Sequence, residues 1–251
     1  MIKNAVKKAI VRLFLLTGNY DQRSFVLNYH NIAPETDITP EYFEYQINYF
    51  LDKGYVFASG VEDLASDKRI LLTFDDAFVS FIEYVVDILI KYSIPCLLFV
   101  PTKYLGGKLS DKISSRSYQE NSVMTMDDLS RVFSTGLVTL GSHTHGHLNM
   151  CDRSQDYLKE DINKSLDIIK SITGGGVENF AYPQGRSDRV AQDVVREAGF
   201  KYAFTTENKS FDKCKDYLSI PRYPGDYFLT DIYLELSRNS SCNAYMKVFF
   251  N

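Results

Sequence analysis

Two adjacent carboxylates are the first side chains of this sequence that are suited to chemistry. Asp75 and Asp76 directly follow Ile70 to Phe74, a run typical of a buried strand, and a helix is predicted after them over 78–91. Acids that end a strand lie at the carboxyl edge of a sheet, where parallel α/β folds bind ligands. Adjacent carboxylates repel each other, so a buried pair requires a cation or a shared proton. The alternative is a solvated turn that only caps the helix.

A cluster of histidines gives the acids a chemical context. Three of the four histidines, His143, His145 and His147, follow a second predicted strand at Leu137 to Leu140. Neutral imidazole is a common ligand of zinc and neighbouring transition metals. Two histidines and one carboxylate would leave positions open for water, as in catalytic metal sites. The alternative is a surface loop that is rich in histidine by chance.

These segments resemble the polysaccharide deacetylase family, also named carbohydrate esterase family 4 or the nodulation-deacetylase homology family. Its first motif, Thr-Phe-Asp-Asp, matches residues 73–76, and its second, His-Ser/Thr-x-x-His, matches residues 143–147. Its third motif, Arg-x-Pro-Tyr-Gly, corresponds less closely to residues 181–185, which read AYPQG. Order and spacing agree over residues 25–223. Residues 27–30, LNYH, resemble a Tyr-His motif of a circularly permuted branch of the family.

The resemblance implies a role for each matching residue. Asp76, His143 and His147 would hold one divalent cation, zinc first, with cobalt, nickel or manganese as other candidates. Asp75 would be the general base that takes a proton from water. In much of the family a histidine late in the chain acts as the general acid, but no histidine follows His147 here. The early Tyr-His motif therefore makes His30 the predicted catalytic acid.

The resemblance also implies a set of residues on the substrate side. Tyr182, Pro183 and Gln184 would line the substrate site, with the backbone N–H of Gln184 meeting the oxyanion. Tyr182 would supply an aromatic wall, since the chain has no tryptophan. Ala181 stands where the family often has an arginine that orients the catalytic aspartate. Arg222, at the end of another predicted strand, joins the set as the candidate to replace that arginine.

Strands and helices alternate along the chain, which predicts an α/β fold with a parallel sheet and helices outside it. The resemblance makes this expectation specific, because it implies the family's distorted, incomplete seven-stranded β/α barrel. The segment 101–123 breaks the alternation and is predicted as a long loop at the rim that affects substrate access. A further helix is predicted over 231–238.

Composition narrows the classes of protein that fit. The 251 residues are 45% hydrophobic and 24% charged, so we expect one globular domain over 1–251 with its core at about 24–223. The net charge of −4 argues against a nucleic-acid partner. The four cysteines are scattered and indicate neither a disulfide framework nor a cysteine metal site.

The amino-terminal segment combines basic and apolar residues. It lacks the small-residue cleavage site of a secretory signal, and no run of the chain reaches the ~18 apolar residues of a membrane span. Residues 1–20 are predicted as an amphipathic helix, and residues 1–16 could contact an anionic membrane surface. Packing of this helix against the barrel is the alternative. We expect a cytoplasmic protein with this possible membrane association.

The resemblance implies a metal-dependent hydrolase that removes an acetyl group, most simply an N-acetyl group, from a bacterial-type carbohydrate. The substrate would be an acetylated sugar, a polysaccharide or a lipid-linked glycan precursor, and a cytoplasmic location would favour a precursor. Two alternatives stay open, namely a non-catalytic member that binds a glycan or a partner, and a hydrolase of another amide. A structural zinc protein is disfavoured, because such sites are closed by four ligands and usually contain cysteine.

Overall fold

A curled parallel sheet forms the centre of the computed structural model, which describes residues 23–114, 117–207, 211 and 214–225. The strands, in chain order, are β1 (Phe25–Tyr29), β2 (Val56–Phe57), β3 (Arg69–Phe74), β4 (Cys96–Val100), β5 (Lys108–Ser114), β6 (Ser117–Ser122), β7 (Val138–Ser142), β8 (Asn179–Ala181), β9 (Tyr202–Phe204) and β10 (Tyr223–Pro224). Seven of them lie side by side in the order β10-β1-β3-β4-β7-β8-β9, and β2 pairs with β3.

The two edges of this sheet approach each other through one segment. Ile220 forms a parallel bridge with Phe204 of β9, and Tyr223 three residues later pairs with Leu27 of β1. The segment 220–224 therefore contacts both edges and curls the sheet. The predicted seven-stranded, incomplete β/α barrel is confirmed.

Helices follow the strands, as the alternation predicts. They are α1 (Pro40–Asp52), α2 (Val86–Tyr92), α3 (Met126–Phe133), α4 (Gln155–Thr173) and α5 (Arg189–Glu197). The helix predicted at 78–91 differs in detail, because it begins as a π-helical turn at Phe81–Val85 before α2. Within the described residues, none of the helices has the length and apolar character needed to cross a membrane.

Aromatic rings join the first strand to its helix. Tyr29 of β1 lies 5.2 Å from Phe43 of α1 and 5.3 Å from Phe74 of β3, measured between ring centroids. Its hydroxyl donates a hydrogen bond to Gln46 Oε1 at 3.1 Å, so the polar end of this buried side chain is satisfied. This packing fixes the end of β1 beside the end of β3, where the acidic pair begins.

The barrel interior changes from apolar to polar along the strands. Its buried apolar cluster includes Val26, Leu71, Leu97, Phe99, Ala181, Phe204 and Ile220. Side chains alternate between the two faces of a strand, so the next inward positions on β1 and β3 are Asn28 and Thr73. These two residues are register partners, and Asp75 continues the same face two residues later. The sequence thus puts a polar layer at the carboxyl end of an apolar barrel.

The segment 101–123 is not the long loop that the sequence predicts. It contains a 3-10 turn at Thr102–Tyr104 and the antiparallel hairpin of β5 and β6. The base of the hairpin joins the segment after the acidic pair through a bridge between Phe78 and Val123. The loop prediction was wrong because β6 reads SYQENS, which lacks the apolar alternation that marks a strand. The predicted segments 1–20 and 231–238 lie outside the described residues.

Gly141 of β7 is required by the packing of the barrel interior. A Cβ there would lie 2.6 Å from the ring of Phe99 and 2.9 Å from the carbonyl oxygen of Asn179. We expect Gly141→Ala to lower the free energy of unfolding by about 1–3 kcal/mol, because overpacking forces neighbouring groups to move. Urea unfolding measures this loss.

Gly175→Ala is the matched control, because a Cβ at Gly175 would meet no atom within 4 Å. The control should unfold at close to the wild-type urea concentration. Equal stability of the two variants would show that the barrel interior has room beside Phe99.

Candidate active site

The two adjacent carboxylates are both buried but have different partners. Asp75 N–H donates to the carbonyl oxygen of Tyr29 at 2.9 Å, so Asp75 stays in register with the sheet. At Asp76 the backbone turns left-handed, with φ of 71°, and Ala77 follows with φ of 49°. The turn separates the two carboxylates, since Asp75 contacts Arg222 whereas Asp76 lies beside two histidines.

Arg222 forms a bidentate ion pair with Asp75 inside the barrel. Its Nη1 lies 2.7 Å from Asp75 Oδ1 and its Nη2 lies 2.8 Å from Asp75 Oδ2. Its Nε donates to the carbonyl oxygen of Thr205 at 2.9 Å, and Nη1 also lies 3.1 Å from the side-chain oxygens of Asn28 and Thr73. Arg222 is 0% exposed. It therefore orients Asp75, as proposed from the sequence, but its assignment to the substrate-facing set was wrong.

The ion pair decides the protonation state of Asp75. Burial alone would raise the pKa of this carboxyl, because a low-dielectric interior disfavours charge. The guanidinium of Arg222, with smaller contributions from His143 and His30, outweighs burial and holds the pKa of Asp75 well below its usual range. Asp75 is therefore ionised at neutral pH.

Asp76, His143 and His147 form a group that could hold a metal ion. One ligand atom from each lies within 4.8 Å of the others. The Nε2 atom of His143 lies 3.7 Å from Asp76 Oδ1, and that of His147 lies 3.3 Å from the same oxygen. Burial lowers the pKa of His143 to about 3, so its imidazole is neutral. Its Nδ1 lies 2.8 Å from the carbonyl oxygen of Ala181, and donation there leaves Nε2 with a free lone pair. Two imidazoles and a carboxylate match a catalytic zinc site.

His30 lies at the rim beside the ion pair. Its Nε2 is 3.9 Å from Asp75 Oδ2, and its side chain is 31% exposed. It follows Val26 and Asn28 at every second position of the chain, which explains why it reaches the interior side of the barrel. The structure thus brings the sequence-predicted acid next to the sequence-predicted base.

The third motif differs from its prediction. Tyr182 is 0% exposed, and its hydroxyl donates to the carbonyl oxygen of Leu218 at 3.1 Å. Its predicted role as an aromatic wall for substrate was wrong, because the ring fills the core and its polar end is satisfied there. Pro183 is buried as well. Gln184 is exposed and has left-handed backbone angles, φ 60° and ψ 10°, so of the three residues it alone remains open to substrate.

Sequence reasoning missed Asp161, a residue of α4. Its carboxylate accepts the backbone N–H of His145 at 2.7 Å and that of Gly146 at 2.9 Å. The available signal was an acid on the same helix face as the buried residues Leu158 and Ser165. His145, whose role the sequence left open, has its Nδ1 2.9 Å from Thr102 Oγ1 and is outside the metal-binding group.

Unusual backbone conformations concentrate in the three motifs and directly after the first. The described residues include eight non-glycine residues with positive φ, and five of them are Asp76, Ala77, Thr144, His147 and Gln184. Left-handed backbone is unfavourable for residues with a side chain and persists only when the surroundings hold it. Such clustering is typical of functional sites.

Comparison with known sequences agrees with the motifs. A family model described as polysaccharide deacetylase matches residues 63–203. The poly-beta-1,6-N-acetyl-D-glucosamine N-deacetylase of Staphylococcus aureus (strain MRSA252) is 24% identical in an alignment 200 residues long, which covers 74% of this chain and 66% of that relative. The chain therefore spans just under two thirds of the length of the curated relatives it first matches.

Solved structures share the fold. IcaB from Ammonifex degensii superposes with a TM-score of 0.73 at 22% identity, covering 86% of this chain and 96% of that one. The deacetylase PplD of Streptococcus pyogenes, solved in complex with acetate, gives a TM-score of 0.68 at 21% identity, covering 81% and 92%. At these identities the likeness establishes the fold alone.

Arg222→Met leaves the buried carboxylate of Asp75 without its partner. We expect a loss of about 3–5 kcal/mol in the free energy of unfolding at neutral pH. In the wild type the depressed pKa of Asp75 stabilises the fold above the unfolded-state pKa of about 3.9, and this is lost as pH falls. In the variant, burial raises the pKa of Asp75, so lowering the pH protonates the carboxylate and removes the cost of burying an unpaired charge. The difference in stability between the wild type and the variant therefore becomes smaller at low pH. Urea unfolding over a pH series measures it.

The control is Arg196→Met, which removes an ion pair with Asp193 that is 2.6 Å long but exposed. Its expected cost is about 0–1 kcal/mol, because water screens exposed pairs. A similar cost for both arginines would contradict the account of the buried pair.

Proposed function

The chain belongs to the polysaccharide deacetylase family, as its motifs predict, and we propose that it is a metal-dependent hydrolase that removes N-acetyl groups from an acetylated amino-sugar polymer. The observation that carries the proposal is the convergence of the Asp76, His143 and His147 donors beside an ionised Asp75. That combination supports hydrolysis of an acetyl group by water.

Asp76, His143 and His147 would hold the metal, and zinc is the occupant that best suits two neutral imidazoles and a carboxylate. Cobalt, nickel or manganese are the other candidates. A divalent metal bound there supplies Lewis acidity, which polarises an acetyl carbonyl and makes water a stronger acid. His143 and His147 are four residues apart at the two ends of one loop, so one short segment supplies two of the three ligands.

Asp75 would take the proton from the attacking water. Each of its oxygens already accepts one hydrogen bond from Arg222, and each retains a second lone pair for a further donor. Arg222 fixes the plane of the carboxylate and keeps it ionised, which a base requires. The low basicity that follows from the depressed pKa is acceptable only if the water is itself acidified, so the two parts of the site depend on each other.

His30 would act on the departing amine, and Gln184 would act on the developing oxyanion. His30 is partly exposed and close to Asp75, which supports donation of a proton from its imidazole to the departing amine. Gln184 is exposed with left-handed backbone, which supports a role of its N–H toward the developing oxyanion. Without proton donation the amine would leave as an anion, which is strongly unfavourable.

The proposed substrate class follows from the relatives. The name of the Staphylococcus aureus relative specifies N-deacetylation of poly-beta-1,6-N-acetyl-D-glucosamine, so a polymer of N-acetylated glucosamine is the first candidate here. A lipid-linked precursor, a cytoplasmic location and membrane contact through residues 1–16 stay predictions. Activity found only on finished extracellular polymer would contradict the prediction of a lipid-linked precursor.

Two variants separate the chemical step from metal binding. Wild-type protein should contain about one equivalent of zinc and release acetate from oligomers of β-1,6-linked N-acetylglucosamine. Asp75→Asn should keep the zinc and lose about 100-fold or more in kcat, because it removes the base. The double variant His143→Ala, His147→Ala should lose both metal and activity. Metal analysis and enzymatic acetate detection provide the two readouts.

Asp127→Asn, an exposed acid of α3, is the matched control and should retain both properties. Full acetate release by Asp75→Asn would remove the proposed mechanism. Bound zinc without acetate release from a panel of acetylated sugars would favour the alternative of a glycan-binding member.

A further inference from the structure

We propose that Asp161 is a positioning residue for the metal centre, and that its grip on the loop between His143 and His147 sets the affinity for the metal. This inference rests on the proposed function, since it requires that Asp76 and the two histidines bind a metal. Asp161 lies on α4, outside the three motifs, and none of its atoms belongs to the metal-binding group.

One carboxylate holds two consecutive amides of the loop. Asp161 Oδ1 accepts the N–H of His145 at 2.7 Å, and Oδ2 accepts the N–H of Gly146 at 2.9 Å. Hydrogen bonds to an ionised acceptor are about twice as strong as neutral ones. The loop approaches so closely that a Cβ on Gly146 would lie 3.0 Å from Asp161 Oδ2. A contact of this kind fixes both the position and the orientation of the two peptide groups.

The amides held by Asp161 lie between two strained residues. Thr144 has φ of 65° and His147 has φ of 51°, both in the left-handed region. Such a backbone persists only where the surroundings determine it. Asp161 binds the two residues directly before His147, so it opposes relaxation of the loop toward a conformation in which that ligand would point elsewhere.

His143 depends less on this contact. It is the last residue before the loop, and its N–H donates to the carbonyl oxygen of Val100 in β4 at 3.1 Å. Its ring is fixed separately by the carbonyl oxygen of Ala181. The barrel therefore positions His143, whereas α4 acts through Asp161 on the part of the loop that leads to His147. Loss of Asp161 should weaken one ligand of three rather than abolish the site.

Zinc affinity, measured by competition with a chromogenic chelator, tests this role. We expect Asp161→Ala to weaken zinc binding about 10–100-fold, the range typical of partners that orient ligands, with Asp167→Ala within about twofold of wild type. Asp167 is an exposed acid on the same helix and controls for loss of charge on α4. The visible spectrum of the cobalt-loaded protein should change in Asp161→Ala, since the spectrum reports ligand geometry and a purely structural role would leave it unchanged.

A second variant tests the same contact from the loop side. Gly146→Ala would place a methyl group 3.0 Å from Asp161 Oδ2 and 3.1 Å from Leu148 Cδ2, so it should disturb the contact with Asp161 and also weaken zinc binding. Because both changes disrupt one contact, the double variant should lose less affinity than the product of the two single losses. Independent, multiplicative losses would indicate that Gly146 acts by another route and would contradict the shared contact.

The outcomes separate this inference from the proposed function. Zinc affinities of Asp161→Ala and Asp161→Asn that equal that of Asp167→Ala would overturn the positioning role while the metal site stands. A wild-type protein that binds no zinc would overturn both. If Asp161→Ala does not fold, Asp161→Asn decides, because it preserves the shape but turns an amide N–H toward one of the two loop donors.

Discussion

The buried pair of Asp75 and Arg222 is the interaction on which the site depends. Two charges in a low-dielectric interior carry a large desolvation penalty unless geometry and further hydrogen bonds compensate for it. Here the contact is bidentate, Nε of Arg222 also donates to Thr205, and Nη1 also donates toward Asn28 and Thr73. The partners are 147 positions apart in the sequence, and they meet because the last segment of the sheet returns to β1. Barrel closure therefore also determines the partner and the ionisation of Asp75.

The left-handed turn at Asp76 resolves the repulsion that two neighbouring acids would otherwise suffer. Asp75 continues the strand and faces the guanidinium, whereas Asp76 leaves the strand and faces the histidines. Asp75 then has the guanidinium as its source of positive charge, and Asp76 lies where a cation bound together with the two histidines would supply one. The loop between His143 and His147 follows a second strand end, and there Asp161 of α4 binds the residue before the left-handed His147. The strands and α4 fix the positions of the side chains at the site, and left-handed residues such as Asp76 and His147 connect these elements.

Local patterns explain how much of this could be predicted. A strand followed by polar residues defines an end of a parallel sheet, which is why Asp76 and His143 were expected at one edge. The same rule predicts that Arg222 lies at the site, but it does not predict that its guanidinium is fully buried inside the barrel. The rule also does not predict which way the side chain of Tyr182 points, and its ring is buried in the core. Asp161 binds backbone amides, and such contacts impose no residue pattern on the loop that they hold.

Anomalous diffraction at the zinc edge, from crystals grown with zinc, tests most directly whether Asp76 binds the metal while Asp75 stays paired with Arg222. The account predicts one peak about 2.0–2.2 Å from a carboxylate oxygen of Asp76 and from Nε2 of His143 and His147. Asp75 should remain bound to Arg222 and outside the metal's ligands. A peak elsewhere, or one ligated by Asp75 with Arg222 displaced, would contradict the account.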